Sequence, residues 1–385
     1  MADMLGMAMA SNLLFIAPRT PRMSGAGAAI RTGILLEALA GRYRIHLPIV
    51  PFYGLPNQPE EAIRRCCADV AVAPPTAGWE LPDAAGIFRD VRFDVVHVSR
   101  LVAAPIANRY LQDDAPLRPM CTLDLDDFES FTRLRLARLA EATGNREAAR
   151  SHSGTAAQFA ELERHYLPLF DRIYVCSQTD RERVASRYHC GRRVTVVPNA
   201  VRIPPAPPAI PPAPVFTFLF VGTMAYYPNQ DAVVFFCTEI LPKLRERAHR
   251  PVRLVVAGAR PPEELRTFCA GHPDVCVAGE VPDLAPYYGE AGAAIVPIRA
   301  GGGTRLKILE ACGYRRPVIS TRLGAEGLDV SHGVEMLLAD TPEEFADACL
   351  FVMHNAEAAG AMACNGFKWV RANHTIENVR QALAG

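Results

Sequence analysis

Lysine is nearly missing from this chain: of its 41 basic residues only Lys243, Lys307 and Lys368 are lysines, and the rest are arginines. The skew reads as compositional bias, yet it makes a lysine inside a motif worth weighing. Net charge is missing too, because 41 acidic residues offset the 41 basic ones. A neutral chain has no overall electrostatic attraction to nucleic acid, so no nucleic-acid partner is expected. The 11 cysteines are odd in number and include no CxxC pair, and the 10 histidines show no HxxxH or HExxH spacing. A disulfide framework and a zinc site are therefore unsupported, and reduced thiols point to the cytoplasm. Met1–Ala10 lacks a basic n-region and is expected to be neither signal peptide nor membrane span.

A chain of 385 residues, 50% of them hydrophobic, exceeds one ordinary core and predicts two domains. Between Pro204 and Pro214 seven of eleven residues are proline. Proline at this density favours extended polyproline II and predicts a semi-rigid spacer; a docking motif for another protein is the rival reading. Each half alternates apolar runs with helical patterns. In the first half the expected strands are 13–17, 45–50, 94–98, 121–125, 172–176 and 194–197. In the second they are 217–221, 254–257, 275–278, 293–298, 317–320 and 335–338. Continuous apolar runs separated by helices imply parallel strands buried on both faces, hence two doubly wound α/β domains. Ligands bind such sheets beyond the carboxyl ends of the strands.

The segment Gly301–Glu310, GGGTRLKILE, follows one of these runs and opens a helical pattern. Three glycines let the backbone approach a ligand closely. Thr304 is positioned to cap the helix, whose first amides carry partial positive charge. Arg305 and Lys307 add two full charges, which predicts an anion site, phosphate being the commonest anion. Glu310 lies three residues after Lys307 on the same helical face. A carboxylate beside phosphate needs another task, and accepting hydrogen bonds from ribose hydroxyls is one. The plain alternative is a Gly-rich turn with a Lys307–Glu310 surface pair worth about 0.2–0.5 kcal/mol.

Further residues carry a family resemblance. Phe220-Val221-Gly222-Thr223-Met224 with Pro228-Asn229, then Val256-Ala257-Gly258, then Gly279-Glu280-Val281 with Leu284 and Tyr287, precede the GGGTRLKILE loop in order. Gly324-Ala325-Glu326-Gly327-Leu328 follows it. Over nearly its whole length the second half resembles the family 4 type of retaining glycosyltransferases. The resemblance implies an α/β GT-B fold, with two Rossmann-like doubly wound domains facing a central cleft. It implies an acceptor domain at 1–203, the linker at 204–214 and a donor domain at 215–366. A helix at 367–385 is then expected to cross back to the first domain.

That resemblance places donor contacts at Gly222, Thr223, Val281, Gly302, Gly303, Thr304, Leu306 and Glu310, with Gly25 reaching the phosphates from the first domain. Many family members carry two glutamates eight positions apart here; Glu310 fills the second, and Gly302 stands at the first. The family's basic pair after the first donor strand is also replaced, by Thr223-Met224-Ala225-Tyr226-Tyr227. Arg305 and Lys307 are then expected to carry the charge stabilisation nearly alone. His97, at the end of a strand resembling the family's, is expected either to contact the sugar or acceptor or to be structural. Ser24, Arg100 and Asp126 are expected acceptor or sugar contacts.

The implied reaction moves a sugar from a nucleoside-diphosphate sugar, uracil favoured and guanine an alternative, to the hydroxyl of a carbohydrate, lipid-linked glycan or small molecule. Retention without a glycosidase-like carboxylate pair suggests front-face displacement. No cofactor or metal is expected; Asp124, Asp126 and Asp127 read as a helix start or acceptor loop. A nucleotide-sugar epimerase of the same fold and a catalytically silent partner subunit are the alternatives. Arg133, Arg135, Arg138, Arg146 and Arg150 lie on one helical stretch. A solvated basic face is the ordinary reading, and peripheral contact with the inner membrane face is its rival.

Overall fold

Every apolar run of the first half becomes a parallel strand. In a computed structural model these are β1 (Ser11–Ile16), β2 (Tyr43–Ile49), β4 (Val95–Ser99), β5 (Met120–Asp124), β6 (Arg172–Val175) and β7 (Val194–Val196), joined by an unforeseen β3 (Asp69–Val72). The structure describes residues 11–385 apart from 26, 53–57, 74–85, 89, 113–117 and 210–213. The expectations for Met1–Ala10, for Ala26 and for the centre of the proline run lie outside the described residues. The seven strands order as β3-β2-β1-β4-β5-β6-β7. Leu13, Leu14, Phe15 and Ile16 of the central β1 are at most 1% exposed, as a strand covered on both faces requires.

The second half gives β8 (Phe216–Val221), β9 (Val252–Ala257), β10 (Val275–Gly279), β11 (Ala293–Val296), β12 (Val318–Ser320) and β13 (Leu337–Leu338). Their order is β10-β9-β8-β11-β12-β13, again parallel throughout. Phe218, Phe220, Phe236 and Phe345 are buried in its core, each contributing about 1.5–3 kcal/mol by burial. The strand order reverses between β8 and β11, and the loops leaving those two strands define the switch point.

The chain divides into two compact units. One comprises the described part of Met1–Ser130 with Ala157–Val197 and Val379–Gly385; the other comprises Phe131–Ala156 with Pro198–Asn378. This partition differs from the expected boundaries. Residues 131–156, in the first half of the sequence, group with the second unit, and only the last seven residues of the tail group with the first. There Leu383 accepts a hydrogen bond from Arg42 at 3.1 Å.

The expected basic helix is two helices, Glu129–Ala142 and Arg146–Tyr166. Gly144, at φ +78°, breaks them, and Asn145 Oδ1 accepts from the Ala148 amide at 3.0 Å to start the second. In the second unit Leu136 and Leu139 pack with Ala300 and Tyr227.

The described part of the proline run is also more than a spacer. Arg316 is 1% exposed and donates to the carbonyls of Tyr314, Ala291 and Pro208. Pro208 also lies against Gly289. The run is thereby pinned to the second unit, with a buried guanidinium donating to the Pro208 carbonyl in a segment whose prolines have no N–H of their own to offer.

Candidate active site

The loops leaving β8 and β11 bring the GGGTRLKILE segment against Gly222. The Gly301 loop leads into the Leu306–Gly313 helix, which places Lys307 in its first turn. Lys307 Nζ donates to Asn229 Oδ1 at 2.7 Å and lies 4.0 Å from the Phe220 ring centroid. Asn229 in turn donates from Nδ2 to the Thr223 carbonyl at 2.9 Å. A β-carbon on Gly222 would come within 2.9 Å of Lys307 Nζ, so glycine there makes room for the ammonium. Gly258 is required beside it, because its β-carbon would meet the Gly222 carbonyl oxygen at 1.9 Å.

Two cations therefore share a loop with no carboxylate in ion-pair contact, and Glu310 acts on Lys307 only from further away. Neither Arg305 nor Lys307 forms an ion pair among the described residues. Arg305 turns back on its own loop, Nη1 donating to the carbonyls of Gly302 and Gly303, while its buried Nη2 has no partner among the described residues. Burial and the nearby Arg305 pull the Lys307 ammonium down to about 7. Burial pushes the Glu310 carboxyl up to about 7 against the pull of Lys307. Both shifts express the cost of charge held away from water.

Thr304 does not cap the helix. Arg305 is the N-cap residue and makes no side-chain cap, while Thr304 Oγ1 accepts from Asn199 Nδ2 at 2.7 Å. The amides of Gly302, Gly303 and Thr304 donate to no other described residue. Leu306 opens the helix. Glu310 Oε2 accepts from Tyr288 Oη at 3.4 Å, and Tyr288 stacks on Tyr314 with centroids 4.6 Å apart. Val281 follows the edge strand β10, with β9 between that strand and β8.

The remaining candidates belong to the first unit. Ser24 and Gly25 are exposed, and Gly25 takes φ +101°. Arg100 and Asp126 follow β4 and β5, both with positive φ (67° and 56°), and they pair at 2.6 Å. Arg100 also pairs with Glu129. Two non-glycine residues in this region each store strain of about 1–3 kcal/mol, a feature that clusters at functional sites. Asp124 is buried against Arg31, which donates to it at 2.6 Å and to the Val197 carbonyl at 3.1 Å.

His97 takes the structural course. Its side chain is 1% exposed beside Phe15 and Tyr174, and Nδ1 bonds Thr122 Oγ1 at 2.8 Å. Burial brings its pKa down to about 3, so the ring is neutral. Its buried Nε2 has no partner among the described residues.

Asn229 and Tyr288 are site residues that sequence reasoning left without a role, although both stood inside or beside quoted motifs. Arg135, taken for a basic-face residue, is 17% exposed and pairs with Glu326 of the second unit.

Residues 215–355 match the family model described as glycosyl transferases group 1. The fold is similar to sucrose-phosphate synthase from Thermosynechococcus elongatus, at 16% identity and TM-score 0.71 over 97% of each chain. It is similar also to HepE of Anabaena, solved with UDP and glucose, at 14% identity and TM-score 0.68 over 97% of this chain and 98% of that one. A Klebsiella pneumoniae protein described as an uncharacterized 44.6 kDa protein in a cps region is 23% identical over 172 residues, 43% of this chain. The chain matches 44% of that curated relative's length. Residues 215–355 are thus a group 1 glycosyltransferase domain, within a chain that has the GT-B architecture of two parallel-sheet domains. No helix among the described residues is long and apolar enough to cross a membrane.

Proposed function

We propose that this protein is a retaining, metal-independent glycosyltransferase of the family 4 type. It takes a nucleoside-diphosphate sugar, UDP-linked by preference, and delivers the sugar to an acceptor hydroxyl in glycan, glycolipid or secondary-metabolite synthesis. The carrying observation is the pair of cations, Arg305 and Lys307, without a carboxylate partner at the switch point of the second sheet. A diphosphate would supply the missing counter-charge, and the amides of Gly302, Gly303 and Thr304 are donors for its oxygens. As the bond from the anomeric carbon to the phosphate oxygen breaks, negative charge grows where Lys307 and Arg305 already stand. On the front-face course, the departing phosphate oxygen receives the acceptor hydroxyl's proton as that hydroxyl's oxygen bonds the anomeric carbon. Glu310 would hold the ribose hydroxyls, and the solved UDP complex of the similar Anabaena protein favours uracil.

Thermal denaturation with UDP, GDP, ADP and dTDP tests the binding step, because a ligand of the folded state stabilises it by RT ln(1 + [L]/Kd) and so raises Tm. UDP is expected to give the largest rise. A flat response to all four would overturn the reading. With a competent donor, NMR of the product is expected to show the donor's anomeric configuration, and inversion would overturn the retaining assignment.

A further inference from the structure

Gly301 sits at φ +126°, a backbone state that glycine alone adopts readily. Its carbonyl oxygen accepts from Arg135 Nη1 at 3.1 Å. The same guanidinium makes a two-toothed pair with Glu326, Nη1 to Oε2 at 2.5 Å and Nη2 to Oε1 at 2.9 Å. It also lies 4.4 Å from the Phe131 ring centroid, which fixes its plane from one side. Arg135, Glu326 and Gly301 all belong to the second unit.

A trans peptide points its C=O and N–H in opposite directions. Holding the Gly301 carbonyl toward Arg135 therefore aims the Gly302 N–H away from Arg135. Between two glycines this peptide has little steric resistance to turning over. The turned-over peptide would present a carbonyl where the unpartnered Gly302 amide now stands, and a carbonyl repels an anion. We propose that Arg135, held by Glu326, is a positioning residue that fixes the polarity of the Gly301–Gly302 peptide, keeping the loop a donor of hydrogen bonds to a diphosphate. The inference rests on the reading of this loop as a diphosphate site. It also explains why the arginine is half-buried on the second unit rather than displayed on a basic surface.

The test compares wild type, Arg135→Ala and Glu326→Gln by UDP titration calorimetry and by the amide NMR signals of Gly302 and Gly303. Arg135→Ala is expected to weaken UDP at least about tenfold, the loss of one charged hydrogen bond, and, without UDP, to shift and broaden the Gly302 amide signal as the peptide samples both orientations. Glu326→Gln is expected to do the same more weakly. Millimolar guanidinium chloride is expected to restore much of the affinity of Arg135→Ala and none of any other variant's. Rescue of this kind would not follow from a general loss of packing. Unchanged affinity and an unchanged Gly302 signal in Arg135→Ala would overturn the proposal, as would failure of rescue in a variant with wild-type circular dichroism. If wild type binds no UDP but the Gly302 signal still shifts in Arg135→Ala, the positioning role stands and the diphosphate reading falls.

Discussion

Gly222 and Lys307 meet where the loops from β8 and β11 converge: a β-carbon on Gly222 would lie 2.9 Å from the lysine's Nζ, and 2.7 Å from Asn229 Nδ2. The ammonium is therefore seated by the absence of a side chain. Gly222→Ala is expected to displace the flexible lysine rather than the backbone. Nucleoside-diphosphate affinity should fall by about tenfold, the worth of one charged hydrogen bond, with circular dichroism unchanged. Calorimetric titration with UDP checks this.

The low pKa of Lys307 gives binding a pH dependence of definite sign. In the free protein its ammonium loses its proton near pH 7, whereas an ordinary lysine does so near 10.5. A diphosphate favours the charged form, so binding at pH 8 should take up a proton. UDP affinity is expected to fall as pH rises from 7 to 9, and calorimetry in buffers of different ionisation enthalpy should show the uptake. In Lys307→Met the uptake should vanish and turnover drop more than tenfold. Folding stability has its own sign: the depressed pKa means that holding the proton costs the folded state, so stability in wild type rises between pH 7 and 10.5. That rise should flatten in Lys307→Met, whose ligand-free Tm at pH 7 is expected to equal or exceed wild type.

Glu310→Gln keeps the shape of the side chain and removes its charge. If the carboxylate holds the ribose, wild type should bind UDP more tightly than its 2′-deoxy analogue, and the variant should lose much of that preference. A charged hydrogen bond of this kind contributes about 1.5–3 kcal/mol. Competition binding of the two nucleotides measures the difference directly.

Asp124→Ala tests the first unit. Arg31 is 3% exposed, and Asp124 is the carboxylate that grips its Nε and Nη2. Removing one member of a buried pair costs about 3–5 kcal/mol, and Asp126, 3.8 Å from the same Nε, offsets part of that loss. Urea denaturation should show a loss approaching that size, well above the loss for an exposed pair such as Arg65–Glu61.

Much of the fold was legible because parallel strands buried on both faces spell themselves as unbroken apolar runs. β3 escaped because Asp69–Val72 is a short edge strand, only partly buried, that opens on an aspartate. The Gly301 loop was legible because its chemistry is local, with glycines, cations and a helix start within ten residues. What escaped at the site depends on contacts between distant segments. Asn229 is 78 residues from Lys307, Asn199 is 105 from Thr304, and Arg135 is 166 from Gly301. The Thr304 hydroxyl could satisfy a helix amide by sequence logic, but Asn199 claims it. The break at Thr143-Gly144-Asn145 was in plain view as turn residues, yet the arginines around it read as one helical face.

The scarcity of lysine has a practical side. Of the three side-chain amines, Lys243 is engaged by Glu343, which raises its pKa, while Lys307 is half-deprotonated near neutrality. A neutral amine is the nucleophile that aldehydes and activated esters capture. An uncharged aldehyde should therefore attach at Lys307 ahead of Lys243, and UDP should protect the amine by restoring its charged form, turning a compositional accident into a covalent marker of the site.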